Sequence, residues 1–224
     1  MKKLITLFAI AGMVLALAPA AQAGTIHEDD FSGAAGNLNG TGPGWIANTT
    51  TGWQLDGSSA TSGSGIRFAW LPFAPTAGNV YTLSADVTTT GGSWLAIAFA
   101  KDSAPGVPPL DSTVLFTIDT YAWMLRKPGV NGQVQTFRGK GTANGGPSST
   151  SAGNLSVVLD TQPALWTVEY FVGGSSIGAA VAYGTNPDIS WVGFGQNNGA
   201  GTVDNFLLTD NSAPPAPGTL IYGK

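Results

Sequence analysis

The chain has 224 residues, no cysteine and one histidine, with 43% hydrophobic residues, 10% charged residues and a formal net charge of −4. Ordinary soluble domains carry about 25% charged residues, so this composition is unusually neutral, yet it is too apolar for a disordered chain. It excludes a disulfide scaffold, a cysteine-ligated metal or iron–sulfur centre and a multi-histidine zinc site, while leaving room for one sizeable core.

Residues 1–23 read as an address. Lys2 and Lys3 precede an uncharged apolar run over 4–17, and Ala21-Gln22-Ala23 supplies the small-x-small pattern of a cleavage site. That is a secretory signal. The run is short for a membrane span of about 20 residues, and no cysteine follows it for lipid attachment. Without Lys2 and Lys3 the mature chain keeps seven basic residues against thirteen acidic ones. Nucleic-acid binding needs clustered positive charge, so DNA and RNA partners are not expected. No later apolar run is long enough to span a membrane. The expectation is a secreted protein at the cell surface or beyond.

From Gly24 onward the pattern is strand after strand. Short candidates fall at 26–31, 53–55 and 66–71. Over 80–87, Tyr81, Leu83, Ala85 and Val87 alternate with Val80, Thr82, Ser84 and Asp86, which predicts a half-buried strand with the first set inward. The run 94–100 is apolar on both faces. Further strands are predicted at 114–118, 122–126, 133–137, 155–160, 166–172, 177–183, 189–195 and 202–209. Gly173-Gly174 between two runs predicts a hairpin. No mature segment shows a good helical period. Three stretches fit a sheet poorly: 33–65, the proline-containing 101–111 and the polar 138–153. The Pro-rich residues 211–224 read as a tail. The predicted organisation is a signal over 1–23, one β-sandwich over 24–210 and that tail.

The ends of the domain carry a resemblance. Asp29-Asp30-Phe31, a Gly/Asn-rich stretch with Trp45, the strand 80–87, Trp191 to Gly195 (WVGFG) and the closing Val203-Asp204-Asn205-Phe206 resemble the concanavalin A-like, or laminin-G-like, jelly-roll superfamily. More narrowly they resemble secreted bacterial sandwiches that carry a PEP-type sorting signal, although Gly223-Lys224 stands where that sorting tail would be. The resemblance implies an all-β, antiparallel jelly-roll sandwich. It also implies a structural calcium ion tying the first and last strands, with Asp29 or Asp30 and Asp204 as the equivalents of its ligands. The superfamily includes lectins, hydrolases, lyases and adhesion domains, so fold alone does not choose a function.

The residues argue against catalysis. Glycosidases need two carboxyl groups facing one sugar bond. The mature chain has only Glu28 and Glu169 as glutamates, and Asp86, Asp119, Asp160 and Asp204 are scattered in sequence. His27 is the one imidazole, and it reads as an ordinary strand residue rather than a triad base. Binding is better provided for, because sugar rings stack on aromatic faces while polar groups read hydroxyls. Of seven tryptophans, Trp94, Trp166 and Trp191 lie in strongly apolar strands and are expected in the core. Trp45, Trp70 and Trp123 lie in or beside Gly/Pro-rich stretches and are the candidates for an exposed platform. Arg67, Arg126 and Arg138 offer planar donors to hydroxyls or a carboxylate, and Asn197 and Asn198 lie in a turn from which they could reach a ligand. The spacing of three in Arg67–Trp70 and Trp123–Arg126 puts each pair on opposite strand faces. The expected function is a secreted non-catalytic module that binds extracellular carbohydrate or matrix. A structural or adhesive surface protein is the alternative, and a hydrolase or lyase stands third.

Overall fold

A computed structural model describes residues 23–47, 52–63, 65–90, 94–110, 120–126, 133–137, 144–148, 152–199 and 201–211. The expected signal, apart from Ala23, lies outside these residues, as do the run 114–118, Arg138 and the tail beyond Asn211. The strands in chain order are β1 (Gly24–Asp29), β2 (Gly36–Asn37), β3 (Ile46–Ala47), β4 (Trp53–Leu55), β5 (Ala60–Ser62), β6 (Ile66–Pro72), β7 (Val80–Thr89), β8 (Leu95–Ala100), β9 (Thr120–Arg126) and β10 (Gln133–Phe137). There follow β11 (Asn144–Ser148), β12 (Ala152–Asp160), β13 (Thr167–Val172), β14 (Ser175–Ser176), β15 (Val181–Ala182), β16 (Trp191–Asn197) and β17 (Gly201–Asp210).

These strands form two sheets. The ten-stranded sheet runs β14-β13-β12-β7-β17-β5-β4-β2, with β1 also on β17 and β15 also on β13. The seven-stranded sheet runs β11-β10-β9-β8-β16-β6-β3. Pairing is antiparallel throughout, and the result is an all-β jelly-roll sandwich. Alternation sets the faces as the sequence predicts: Tyr81, Leu83, Ala85 and Val87 of β7 are buried, together with Leu155, Val157 and Leu159 of β12. Leu95, Ile97 and Phe99 of β8 meet them from the other sheet in the main core. The Gly173-Gly174 hairpin is present, both glycines having positive φ between the paired Val172 and Ser175, as a two-residue primed turn requires.

Two differences from the sequence reading position the candidate sites. The stretch 33–65 carries the four strands β2 to β5, each only two or three residues long, too short to show a period. In β17 a bulge follows Asp204, and Asn205 stands at φ 48. The extra residue lets Val203 and Phe206 both point inward despite their odd spacing, as bulges do.

The turn between β4 and β5 is held by Asp56, whose carboxylate accepts from the backbone N–H of Ser58 and Ser59 and from both serine hydroxyls. The Ser58 backbone bond leads in holding this carboxyl below the usual carboxylate range, followed by the Ser59 hydroxyl. A depressed folded value means the contribution is present above the unfolded value, about pH 4, and is lost as pH falls through the lower folded value. Asp56→Asn is therefore expected to flatten the acid limb of a stability-against-pH curve below about pH 4. Superimposable acid limbs would show that the turn does not discriminate between the two protonation states.

Candidate functional site

The seven-stranded sheet is apolar on its outward face as well as its inward one. A second buried cluster, separate from the main core, comprises Phe68, Trp70, Trp94, Ala96, Ala98, Ala100 and Trp191, with Ile46, Ile66, Leu110 and Phe137 packed against it. Outward sheet faces in sandwiches are ordinarily polar. Register explains how the rings fit. Phe68 and Trp70 of β6 stand opposite Gly195 and Gly193 of β16. Each glycine surrenders the space its Cβ would take: a Cβ at Gly195 would lie 2.3 Å from Phe68 Cδ1, and one at Gly193 would lie 2.8 Å from Trp70 Cε3. The two rings stack on one another, with centroids 5.8 Å apart and planes inclined by 19°. On the other side of β16, Ala96, Ala98 and Ala100 of β8 keep the lane low.

Residues 101–110 form a strap over this face. The Trp70 indole N–H donates to the Pro109 carbonyl at 2.9 Å, and the Trp191 indole N–H donates to Asp102 Oδ1 at 2.5 Å. The other Asp102 oxygen accepts from the Gly106 N–H, and Ala104 and Val107 bridge to one another. The aromatic floor is thereby covered: Trp70 is 0% exposed, Trp94 7% and Trp191 6%.

Two of the three candidates for an open aromatic platform are thus corrected. Trp70 lies under the strap. Trp45 is 1% exposed and sits in the main core, its ring packed edge-on against Phe194 and Phe206, while its N–H donates to Asp29 Oδ2 at 2.7 Å. Gly40, Gly42 and Gly44 all have positive φ and fold the chain back, so a segment that reads as loop delivers a core residue. Trp94 and Trp191 are buried as expected, but on the outward face rather than between the sheets. Trp166 is half-buried against the core. Trp123 stands in register with Ala98 and Phe137, and Arg126 with Leu95 and Val134. The two therefore occupy opposite faces of β9, Trp123 on the face of the aromatic cluster. Their side chains lie outside the described residues.

Asn197 closes β16, paired with Ile66, and Asn198 turns the chain after it. The Asn198 N–H donates to Gly65 O and its Oδ1 accepts from Gly65 N–H, with φ at 57; the Asn197 N–H donates to Trp94 O. Glu28, Asp29, Asp30, Asn205, Phe206 and Leu207 line a cleft of about 500 Å³. The Asp30 carboxylate accepts from Ser32 N–H, and Ser32 holds its carboxyl low. Asp204 Oδ1 accepts from Asn205 N–H. Calcium takes six to eight oxygen ligands. Among the described residues no group of three or more Asp, Glu, His or Cys side chains stands where it could hold a metal ion.

One juxtaposition escaped the sequence. Asp204 and Asp86 stand directly opposite one another across β17 and β7. Like charges so placed repel, and amide donors offset this: Asn154 Nδ2 donates to Asp86 Oδ1 at 3.0 Å and Asn205 Nδ2 to Asp86 Oδ2 at 2.9 Å. Asp86 thus ties three strands together on the outer face of the ten-stranded sheet.

No protein-family model and no curated protein matches the chain. Solved structures do match in fold. An endo-1,3-β-glucanase from Streptomyces sioyaensis superposes with a TM-score of 0.63 at 16% identity, covering 86% of this chain and 98% of that one. A protein of unknown function with a galectin-like fold from Bacillus subtilis gives 0.55 at 12%, covering 84% and 96%. The exoplasmic/lumenal domain of VIP36, in its Ca2+/Man2-bound form, gives 0.51 at 10%, covering 87% and 90%. The fold is that of the concanavalin A-like and galectin-like jelly rolls.

Proposed function

We propose that the protein is an exported module that binds carbohydrate without turning it over. The observation that carries this reading is the jelly-roll sandwich itself, which superposes over 87% of this chain on the VIP36 domain in its Ca2+/Man2-bound form. The rings of Phe68, Trp70, Trp94 and Trp191 are buried and offer no face to a sugar, so the stacking role falls to Trp123, at a register position opposite Ala98. The leader over 1–23 supports export. Among the described residues no helix is long and apolar enough to cross a membrane.

Affinity electrophoresis of the mature protein through neutral and acidic polysaccharides tests it. At least one glycan is expected to retard the protein, equally with and without chelator, and with no release of reducing ends. Trp123→Ala is expected to weaken retardation up to about tenfold, the worth of one aromatic stacking contact. Passage through every gel unretarded would reject the reading, and new reducing ends would show a hydrolase. A specific observation favours a second reading: none of the described tryptophan side chains is exposed, as suits a structural or adhesive protein with no sugar ligand. Self-association without glycan retention would establish that alternative.

A further inference from the structure

The start of the first strand lies beside the end of the last. Gly24 opens β1, Asp210 closes β17, and the two are register partners. Gly24 is also the residue that follows Ala23, after which the sequence places the leader's cleavage. Asp210 is half-buried and Gly24 exposed. The Asp210 side chain leans over the Gly24 backbone: a Cβ at Gly24 would stand 2.6 Å from Asp210 Oδ1 and 3.7 Å from its Cγ. Standard bond lengths then put that oxygen within about 5 Å of the Gly24 nitrogen. A side chain larger than that of glycine would push the carboxylate aside, so this carboxylate keeps its place over the nitrogen because residue 24 is Gly.

In the uncut chain that nitrogen is a neutral amide. Cleavage adds water across the Ala23–Gly24 bond, its hydroxyl to the Ala23 carbonyl and a hydrogen to the Gly24 nitrogen. The amine so formed titrates ordinarily at about 7.7–8.0 and takes a further proton from solvent at neutral pH. An opposite charge within about 4–6 Å favours a charged group, and the acid surplus of the mature chain, thirteen acidic residues against seven basic, favours a new cation too. We propose that removal of the leader completes the sandwich by creating an ion pair between the Gly24 α-ammonium and the Asp210 carboxylate, which ties the first strand to the last. The pair rests on the export reading for the cut and on no ligand. Before the cut this end of β1 is held by its backbone pairing. After it, charge holds the terminus, the place where a chain is ordinarily least ordered. The other ionisable side chains nearby are His27 and Glu28 of β1 and Tyr81 of β7, the register partner of Asp210 on its other side. His27 is turned to the Pro72 carbonyl, and the Tyr81 hydroxyl is engaged by Thr76 and Asn79.

Two mature chains that both begin at Gly24 test the pair, one with a free α-amine and one Nα-acetylated. At about pH 6, where the amine is charged, the free chain is expected to unfold about 1–3 °C above the acetylated one, the size of one exposed ion pair in a chain of this length. The pair raises the folded amine above its unfolded value. Its contribution is therefore complete below about pH 7.7 and lost as pH rises through the higher folded value. The two midpoints should converge by about pH 10, and Asp210→Asn should close the gap at low pH as well. His27, Glu28 and Tyr81 cancel, because both chains carry them. The Gly24 Hα resonance gives a readout independent of stability: it should titrate above about 8.0 in the unaltered protein and at about 7.7–8.0 in Asp210→Asn. An amine that titrates in its ordinary range in both, or a gap in midpoint that survives Asp210→Asn, would overturn the pair. Sequencing the N-terminus of the exported protein tests the cut separately. Gly24 first supports it, and any other first residue would reject the cleavage reading and with it the pair in the exported protein.

Discussion

Trp45→Ala is expected to lower the unfolding free energy by about 4 kcal/mol, within the range for truncating a buried Trp or Phe and a large share of the 5–15 kcal/mol that holds most domains together. The ring joins three elements. It packs against Phe31 after β1, Phe194 in β16 and Phe206 in β17, so both sheets lose packing at once. Its N–H also answers Asp29, whose other oxygen accepts from Phe31 N–H. Trp45→Phe separates the terms: it keeps an aromatic ring and removes the donor, and should cost about 1–3 kcal/mol, the worth of a hydrogen bond to a charged group. Urea unfolding of the three proteins measures both. If Trp45→Ala cost under 1 kcal/mol, the indole would not be in the core, and its claim as a sugar platform would revive.

The same residue shows how far the sequence could be read. Long strands announce themselves: the alternation over β7 sorts its buried and outward residues correctly, because ten residues give the period room to appear. Trp45 was misread because Pro43-Gly44 beside it signals a loop, and it is a loop. The positive-φ glycines that make the chain irregular also turn it back into the core. Local polarity therefore did not report burial. The facing of Asp86 and Asp204 was invisible for another reason. It depends on the pairing of strands more than a hundred residues apart and on the bulge at Asn205 that fixes their register. The odd spacing of Val203 and Phe206 was the one available signal of that bulge.

The aromatic face was half legible. WLAIAFA reads as a strand apolar on both faces, which argued for a fully buried central position. The apolar outward residues instead lie under a strap, and the strap's proline-rich sequence gave no hint of what it covers. What the sequence did contain, unrecognised, was the complement of Gly193 and Gly195 to Trp70 and Phe68. Glycines in strand interiors mark close approach, and here the approach is by rings from the neighbouring strand, in the manner of aromatic side chains that rescue glycines in sheets.

Gly193→Ala is for that reason expected to be the most damaging single-methyl change on this face. A Cβ at Gly193 would stand 2.0 Å from the Ala69 carbonyl oxygen and 2.8 Å from Trp70 Cε3. The first neighbour is backbone in the paired strand and cannot swing away, so β16 and β6 must part locally or the Trp70 ring must leave its lane. Overpacking of this kind costs about 3 kcal/mol or more. Displacing Trp70 also breaks its bond to Pro109, so the strap should loosen with it. Gly195→Ala meets mainly the Phe68 ring, at 2.3 Å, and a ring can rotate at lower cost. The expected order of loss is thus Gly193→Ala above Gly195→Ala, with amide hydrogen exchange over 103–107 accelerated most in the former. Equal small losses with the strap unchanged would mean that the rings do not lie over the glycines, and the covered aromatic floor would lose its structural basis.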